Sequence, residues 1–122
     1  MYNEASYKLL VCLCKNMNRA IRFYEKFFEQ PVSIRDDVFS IFIVHGFRYC
    51  LFNNQAVNDP VTWGDNCLPS IEVDDIHEAY NKVKELGCPI VFELTRIGDN
   101  MVFEFTDSEG NDIEVYAKAS WG

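Results

Sequence analysis

The stretch FTDSEGNDIEVYAK, residues 105–118, predicts the end of one strand, a turn and a closing strand. The turn spans residues 107–110 and ends in glycine. In the closing strand a single carboxylate, Glu114, stands between the apolar residues Ile113 and Val115. A carboxylate in such a strand is a candidate ligand for a metal or anchor for a small molecule. Its function therefore depends on which side chains the fold places around it.

The pattern around this turn occurs earlier in the chain as well. A shift of 64 residues places Gly46 on Gly110, and each glycine precedes a closing strand, FRYCLF in one case and NDIEVY in the other. A shift of 59 residues places Asn16 on Asp75, which are predicted N-caps of two amphipathic helices. These repeats predict an α+β fold made of two βαβββ modules in tandem.

The boundaries of the modules follow from the same pattern. Module 1 is predicted over about residues 5–53, a polar linker over 54–66, and module 2 over about 67–118. So short a repeat cannot bury both faces of its own sheet, so residues 1–122 are predicted to form a single domain. In module 1 the hairpin turn is predicted at His45-Gly46, because glycine readily adopts positive φ.

Composition limits the kinds of partner. The chain has 11 basic and 19 acidic residues, a net charge of −8, which disfavours nucleic acids and anionic membranes as partners. No signal peptide or long apolar run is present. The five cysteines are odd in number and form no CxxC pair, which favours reduced thiols and a cytoplasmic location.

Three segments carry a family resemblance: NMNRAIRFYEKFF, IEVDDIHEAYNKVKELGCPI and FEFTDSEGNDIEVY. Together they resemble the vicinal oxygen chelate superfamily of glyoxalase I, extradiol dioxygenases, and fosfomycin and bleomycin resistance proteins. Ser108 replaces the proline of the family's Asp-Pro-x-Gly-Asn turn. The resemblance implies paired modules whose mixed sheets curl around a cleft, with the helices outside, and it implies a homodimer.

The resemblance also implies where metal ligands would stand. Metal-dependent members take ligands from the first and closing strands of each module, and the equivalent positions here are Leu9, Cys50, Leu68 and Glu114. Leucine cannot bind a metal, and one thiol with one carboxylate makes a poor site for Zn²⁺ or for hard divalent ions. We therefore expect no metal and no other cofactor, and a function without metal-dependent catalysis.

Strand alternation predicts the wall of the cleft. The His45-Gly46 turn would place Ile41 opposite Cys50, and a four-residue loop over 107–110 would place Phe103 opposite Glu114. Trp63, in the linker, is interpreted as either a lid over the ligand or an interface anchor. The predicted ligand-binding residues are Phe39, Ile41, Arg48, Cys50, Phe52, Trp63, Met101, Phe103, Glu114 and Tyr116.

Three functions are consistent with these residues. The first is a metal-free protein that binds a hydrophobic or cationic aromatic ligand in the cleft. The second is an enzyme of the same superfamily, a lyase, isomerase or dioxygenase, in which Glu114 acts as metal ligand or general base. The third is a dimeric interaction module with a vestigial cleft. Alternatively, the aromatic residues fill a closed core, and Glu114 pairs with Arg48.

Overall fold

The structure, a computed structural model, describes residues 8–58 and 68–119. The chain divides into two compact units, residues 1–60 and 61–122. Trp63 lies outside the described residues, so its predicted role stays a prediction, as does the single-domain organisation. Within the described ranges, no helix is long and apolar enough to cross a membrane.

The first unit contains one α-helix and three strands in its described part. A short 3₁₀ helix, Asn54–Val57, follows the last strand. The elements are β1 (Leu9–Leu13), α1 (Met17–Phe28), β2 (Phe39–Val44) and β3 (Phe47–Phe52).

Helix α1 begins at the predicted cap. The side chain of Asn16 accepts a hydrogen bond from the backbone N–H of Arg19 at 3.0 Å, which satisfies one of the free donors of the first turn. One face of the helix packs on the sheet through aromatic rings. The ring of Tyr24 lies 5.0 Å from that of Tyr49 and 6.4 Å from that of Phe42. Among residues 8–58, the other face of this sheet has no α-helix packed on it.

The sheet of the first unit is mixed, in the order β1-β3-β2. Strand β1 runs parallel to β3, and β2 runs antiparallel to it. The predicted turn is confirmed, because His45 and Gly46 have φ of 48° and 79° between the paired residues Val44 and Phe47. The remaining strand expected for the module is reduced to an isolated bridge between Ile34 and Ile41.

The second unit has a longer mixed sheet, in the order β4-β7-β6-β5. Asp75 caps its helix by accepting a hydrogen bond from the N–H of Glu78 at 3.1 Å. Its elements are β4 (Ser70–Glu72), α2 (Ile76–Glu85), β5 (Ile90–Ile97), β6 (Asn100–Thr106) and β7 (Asp112–Lys118). The α+β class and the βαβββ organisation of the modules are thereby confirmed.

The turn between β6 and β7 differs from the prediction. Thr106 pairs with Asp112, so the loop contains five residues, 107–111, rather than four. The buried Asp107 is the reason, because its Oδ1 accepts hydrogen bonds from the N–H groups of Glu109 and Asn111 at 2.8 and 2.9 Å. Asn111 is thereby held in the turn and does not begin the strand. The predicted pairing of Phe103 with Glu114 is wrong by one residue.

A one-residue change of register moves each side chain of β6 to the other face of the sheet relative to β7. Phe103 lies opposite Val115 and contacts the ring of Tyr80 on α2, with centroids 5.0 Å apart. Met101 lies opposite Ala117 on the same face. Both residues were predicted to line the ligand wall with Glu114, and the structure places them on the helix side instead.

Candidate functional site

Four side chains form a line across the face of the second sheet that is turned away from α2. Each strand contributes one residue. Ser70 pairs with Glu114, Glu114 with Glu104, and Glu104 with Phe92. We call this line the carboxylate row, because its centre consists of two glutamates.

The position of Glu114 in the carboxylate row is fixed by its neighbour on β4. The hydroxyl of Ser70 donates to Oε1 of Glu114 at 2.6 Å, a length typical of a hydrogen bond to a charged carboxylate. The backbone supports the same register, because the N–H of Glu114 donates to the carbonyl of Pro69 at 2.8 Å. At the C-terminal end of β4, the N–H of Val73 donates to the carbonyl of Tyr116 at 2.9 Å. Ser70 and Glu114 are therefore held together by both backbone and side chain.

A second line runs beside the carboxylate row on the same face. Glu72 pairs with Tyr116, Tyr116 with Val102, and Val102 with Thr95. Tyr116 was predicted to lie two residues along the wall from Glu114, and the strand places it there. This face therefore combines carboxylates with the aromatic side chains of Tyr116 and Phe92.

The first unit carries the equivalent line, which is apolar. Val11 pairs with Cys50, Cys50 with Ile41, and Ile41 forms the bridge to Ile34. The repeat shifts of 59 and 64 residues carry Val11 to Ser70 and Cys50 to Glu114, so the two lines correspond strand by strand. We call the line in the first unit the apolar row.

Aromatic side chains flank the apolar row. Phe39 pairs with Phe52, and their ring centroids are 6.4 Å apart. Arg48 lies on the other side of the row and is exposed. The predicted register of this hairpin is confirmed, since Ile41 faces Cys50 and Phe39 faces Phe52. The structure thus brings Phe39, Ile41, Arg48, Cys50 and Phe52 together on one face, as predicted.

Three residues of the carboxylate row, Glu104, Ser70 and Phe92, were not among the predicted ligand residues. A four-residue loop would turn Glu104 to the helix side, whereas the five-residue loop turns it to the face of Glu114. A carboxylate in the helix-packed face of an otherwise apolar strand was the sequence signal against that register. Ser70 lies opposite Glu114 because β4 pairs with β7 two residues beyond Leu68. Phe92 lies opposite Glu104 on β5, between two register shifts of that strand.

Residues 8–115 match the family model described as Glyoxalase/Bleomycin resistance protein/Dioxygenase superfamily. The chain belongs to this superfamily. The match spans both units and includes β1 through most of β7. A comparison with proteins of curated function finds no match.

Solved structures of the superfamily share the fold at low sequence identity. A glyoxalase/bleomycin resistance protein/dioxygenase family enzyme from Burkholderia phytofirmans is similar with a TM-score of 0.80 and 14% identity, over 92% of this chain and 98% of that one. A lactoylglutathione lyase from Agrobacterium tumefaciens gives a TM-score of 0.74 and 17% identity, over 95% and 96%. The fosfomycin resistance protein FosX from Listeria monocytogenes gives 0.72 and 16%, over 96% of each chain.

The residues of this superfamily member do not fit a metal at the positions that the resemblance implies. Leu9 and Leu68 have no donor atom, and the side chains paired with Cys50 and Glu114 on the first strands are Val11 and Ser70. Among residues 8–58 and 68–119, no three His, Cys, Asp or Glu side chains are placed to hold a metal ion.

The thiol at the third implied position is also a poor donor. Cys50 is fully buried in the apolar row, and this burial raises the pKa of its thiol, an effect that the positive charge of Arg48 partly offsets. The thiolate, which is the form that binds metals, is therefore disfavoured at neutral pH.

Proposed function

We propose that this protein binds a small aromatic or hydrophobic cation without a metal, with Glu114 as the anionic anchor. The observation that carries the proposal is the carboxylate row, in which Glu104 and Glu114 lie beside Phe92, with Tyr116 in the next line on the same face. The apolar row and its phenylalanines supply apolar surface of the kind that aromatic ligands bind.

Charge and chemistry favour a cation as the ligand. Two carboxylates in adjacent strands attract a positive group and accept hydrogen bonds from it. An aromatic ring beside them adds cation–π attraction of about 0.5–1 kcal/mol at an exposed site. Phe92 is 38% exposed and therefore accessible from solvent. The net charge of −8 adds a general attraction for cations.

Binding without a metal is favoured by the side chains at the implied ligand positions. Two are leucines, one is a buried thiol whose pKa is raised, and the carboxylate of Glu114 already accepts a hydrogen bond from Ser70. The solved relatives include a lactoylglutathione lyase and a fosfomycin resistance protein. This chain has the same fold, and we propose that it binds its ligand without catalysis, as bleomycin resistance proteins do. We further propose that it acts as a cytoplasmic homodimer.

The proposal is tested by fluorescence titration with a matched pair of probes. The cation is anthracen-9-ylmethylammonium, and the neutral counterpart is anthracen-9-ylmethanol. We expect the wild-type protein, treated with a chelator, to bind the cation at least about tenfold more tightly, because hydrogen bonds to charged groups contribute about 1.5–3 kcal/mol. Equal affinity for the two probes would contradict the proposal.

A matched pair of variants assigns the preference to the carboxylate row. Glu114→Gln keeps an oxygen that can accept the hydrogen bond of Ser70 but removes the charge. Glu85→Gln removes one charge from the exposed end of α2 in the same unit and serves as the control. We expect only Glu114→Gln to abolish the preference for the cation. Metal analysis of the purified protein completes the test, since a stoichiometric divalent metal lost in Glu114→Gln would favour the enzyme instead.

A further inference from the structure

The contact between Ser70 and Glu114 has no counterpart in the first unit. The corresponding pair in the first module is Val11 and Cys50, which contains neither a hydroxyl nor a carboxylate. The hydrogen bond is therefore not a requirement of the module fold, which forms in the first unit without it. Its presence only beside the proposed anchor points to a role in binding.

We propose that Ser70 is a positioning residue that orients the carboxylate of Glu114 toward cations that carry N–H groups. This inference rests on the proposed function, because it assigns a chemical class to the ligand of the same site. The class is a primary or secondary ammonium, an amidinium or a guanidinium. A quaternary ammonium, which has no N–H to donate, is excluded from it.

The geometry of β4 supports a positioning role. Ser70 is the first residue of β4, and the backbone hydrogen bonds from Glu114 to Pro69 and from Val73 to Tyr116 hold both ends of this short strand against β7. Only the χ1 torsion of Ser70 remains to place its hydroxyl, whereas glutamate has three side-chain torsions. A short hydrogen bond of 2.6 Å from a rigid donor therefore restricts the flexible partner.

The consequence for recognition follows from the two oxygens of Glu114. Oε1 is engaged by Ser70, so a ligand meets a carboxylate of fixed orientation through Oε2. A directional acceptor distinguishes N–H donors from a trimethylated nitrogen, while a freely rotating carboxylate attracts both through charge alone. Aromatic rings also bind quaternary ammonium groups, so the selectivity depends on the orientation of the carboxylate.

The test compares Ser70→Ala with Ser70→Thr, which restores the hydroxyl. The probes are anthracen-9-ylmethylammonium and its N,N,N-trimethyl analogue. In the wild-type protein we expect the primary ammonium to bind more tightly. In Ser70→Ala we expect the ratio of the two Kd values to fall by about threefold to tenfold, the cost of immobilising a flexible side chain on binding. Ser70→Thr should restore the ratio.

A measurement without ligand separates this inference from the proposed function. The side-chain carboxyl ¹³C resonance of Glu114 should shift in Ser70→Ala and return in Ser70→Thr, while that of Glu85 stays unchanged. If the protein shows no preference for cations over neutral probes, the proposed function fails. If the preference for cations is present but Ser70→Ala leaves both the selectivity ratio and the Glu114 resonance unchanged, the positioning role of Ser70 is overturned.

Discussion

Glu104 and Glu114 lie directly opposite each other on β6 and β7, and both side chains are on the face turned away from α2. Opposed like charges in an antiparallel pair lower the stability of a sheet. Under the proposed function, a bound cation offsets this loss of stability. This relationship is the physical basis of the first prediction.

Glu104→Gln should raise the free energy of unfolding and weaken cation binding. We expect the free energy of unfolding, measured in urea at neutral pH and low ionic strength, to rise by about 0.2–1 kcal/mol. The gain should decrease at 1 M salt, where the Debye length is about 3 Å. Lower stability of the variant at low salt would show that the opposed pair is not repulsive.

The turn that sets the register of β6 and β7 depends on Asp107. Besides its two backbone hydrogen bonds, Oδ2 of this residue accepts one from Nδ2 of Asn111 at 3.0 Å. Asp107→Ala should lower the free energy of unfolding, measured in urea, by about 2 kcal/mol or more, because the N–H groups of the turn lose their acceptor. Asp107→Asn retains the Oδ1 acceptor and should cost less. Equal losses in the two variants would contradict this role.

The hairpin between β2 and β3 contains a strained residue. His45 has φ of 48° and is exposed, and asparagine adopts positive φ more readily than histidine. His45→Asn should therefore raise the free energy of unfolding by about 0.5 kcal/mol. As a control, His77→Asn changes an exposed residue inside α2 and should be neutral or slightly destabilising. Thermal and urea unfolding measure both effects.

Alkaline pH should destabilise the protein through Cys88. Burial, and then the negative charge of Asp107, raise the pKa of this thiol from 9.0 to about 11. The folded state therefore retains the proton between these values while the unfolded state loses it, so stability is full below pH 9 and decreases as the pH rises to 11.

Cys88→Ala removes this contribution and leaves the titration of other groups in place. Between pH 9 and 11 the free energy of unfolding should fall by about 1–2 kcal/mol less in the variant than in the wild type. The difference is limited to this size because Cys88 is partly exposed. Urea unfolding at a series of pH values measures the difference. Parallel stability curves for the two proteins would rule out the raised pKa.

The sequence predicts features that depend on neighbours along the chain. The caps Asn16 and Asp75 and the turn at His45-Gly46 are local, because each requires only a few residues with particular side chains or φ values. The module repeat could be predicted because it was recognised from these local caps and turns. In the first unit a two-residue turn fixed the hairpin register, so the prediction for Ile41 and Cys50 was correct.

The second hairpin could not be predicted with the same rules. Its register depends on the length of the loop, which Asp107 sets through hydrogen bonds to residues further along the turn. One additional loop residue moved Phe103 to the helix side and Glu104 to the face of Glu114. The candidate site thus changed from a wall of aromatic side chains around one carboxylate to a pair of carboxylates with aromatic neighbours.

The ratio of Kd values for the neutral and cationic anthracene probes, measured for the wild-type protein and Glu114→Gln in chelator-treated buffer, tests the central claim most directly. We predict a ratio of at least about ten for the wild type, falling to about one in Glu114→Gln and unchanged in Glu85→Gln. A ratio near one in the wild type, or an equally high ratio in Glu114→Gln, would contradict the claim that Glu114 anchors a cationic ligand without a metal.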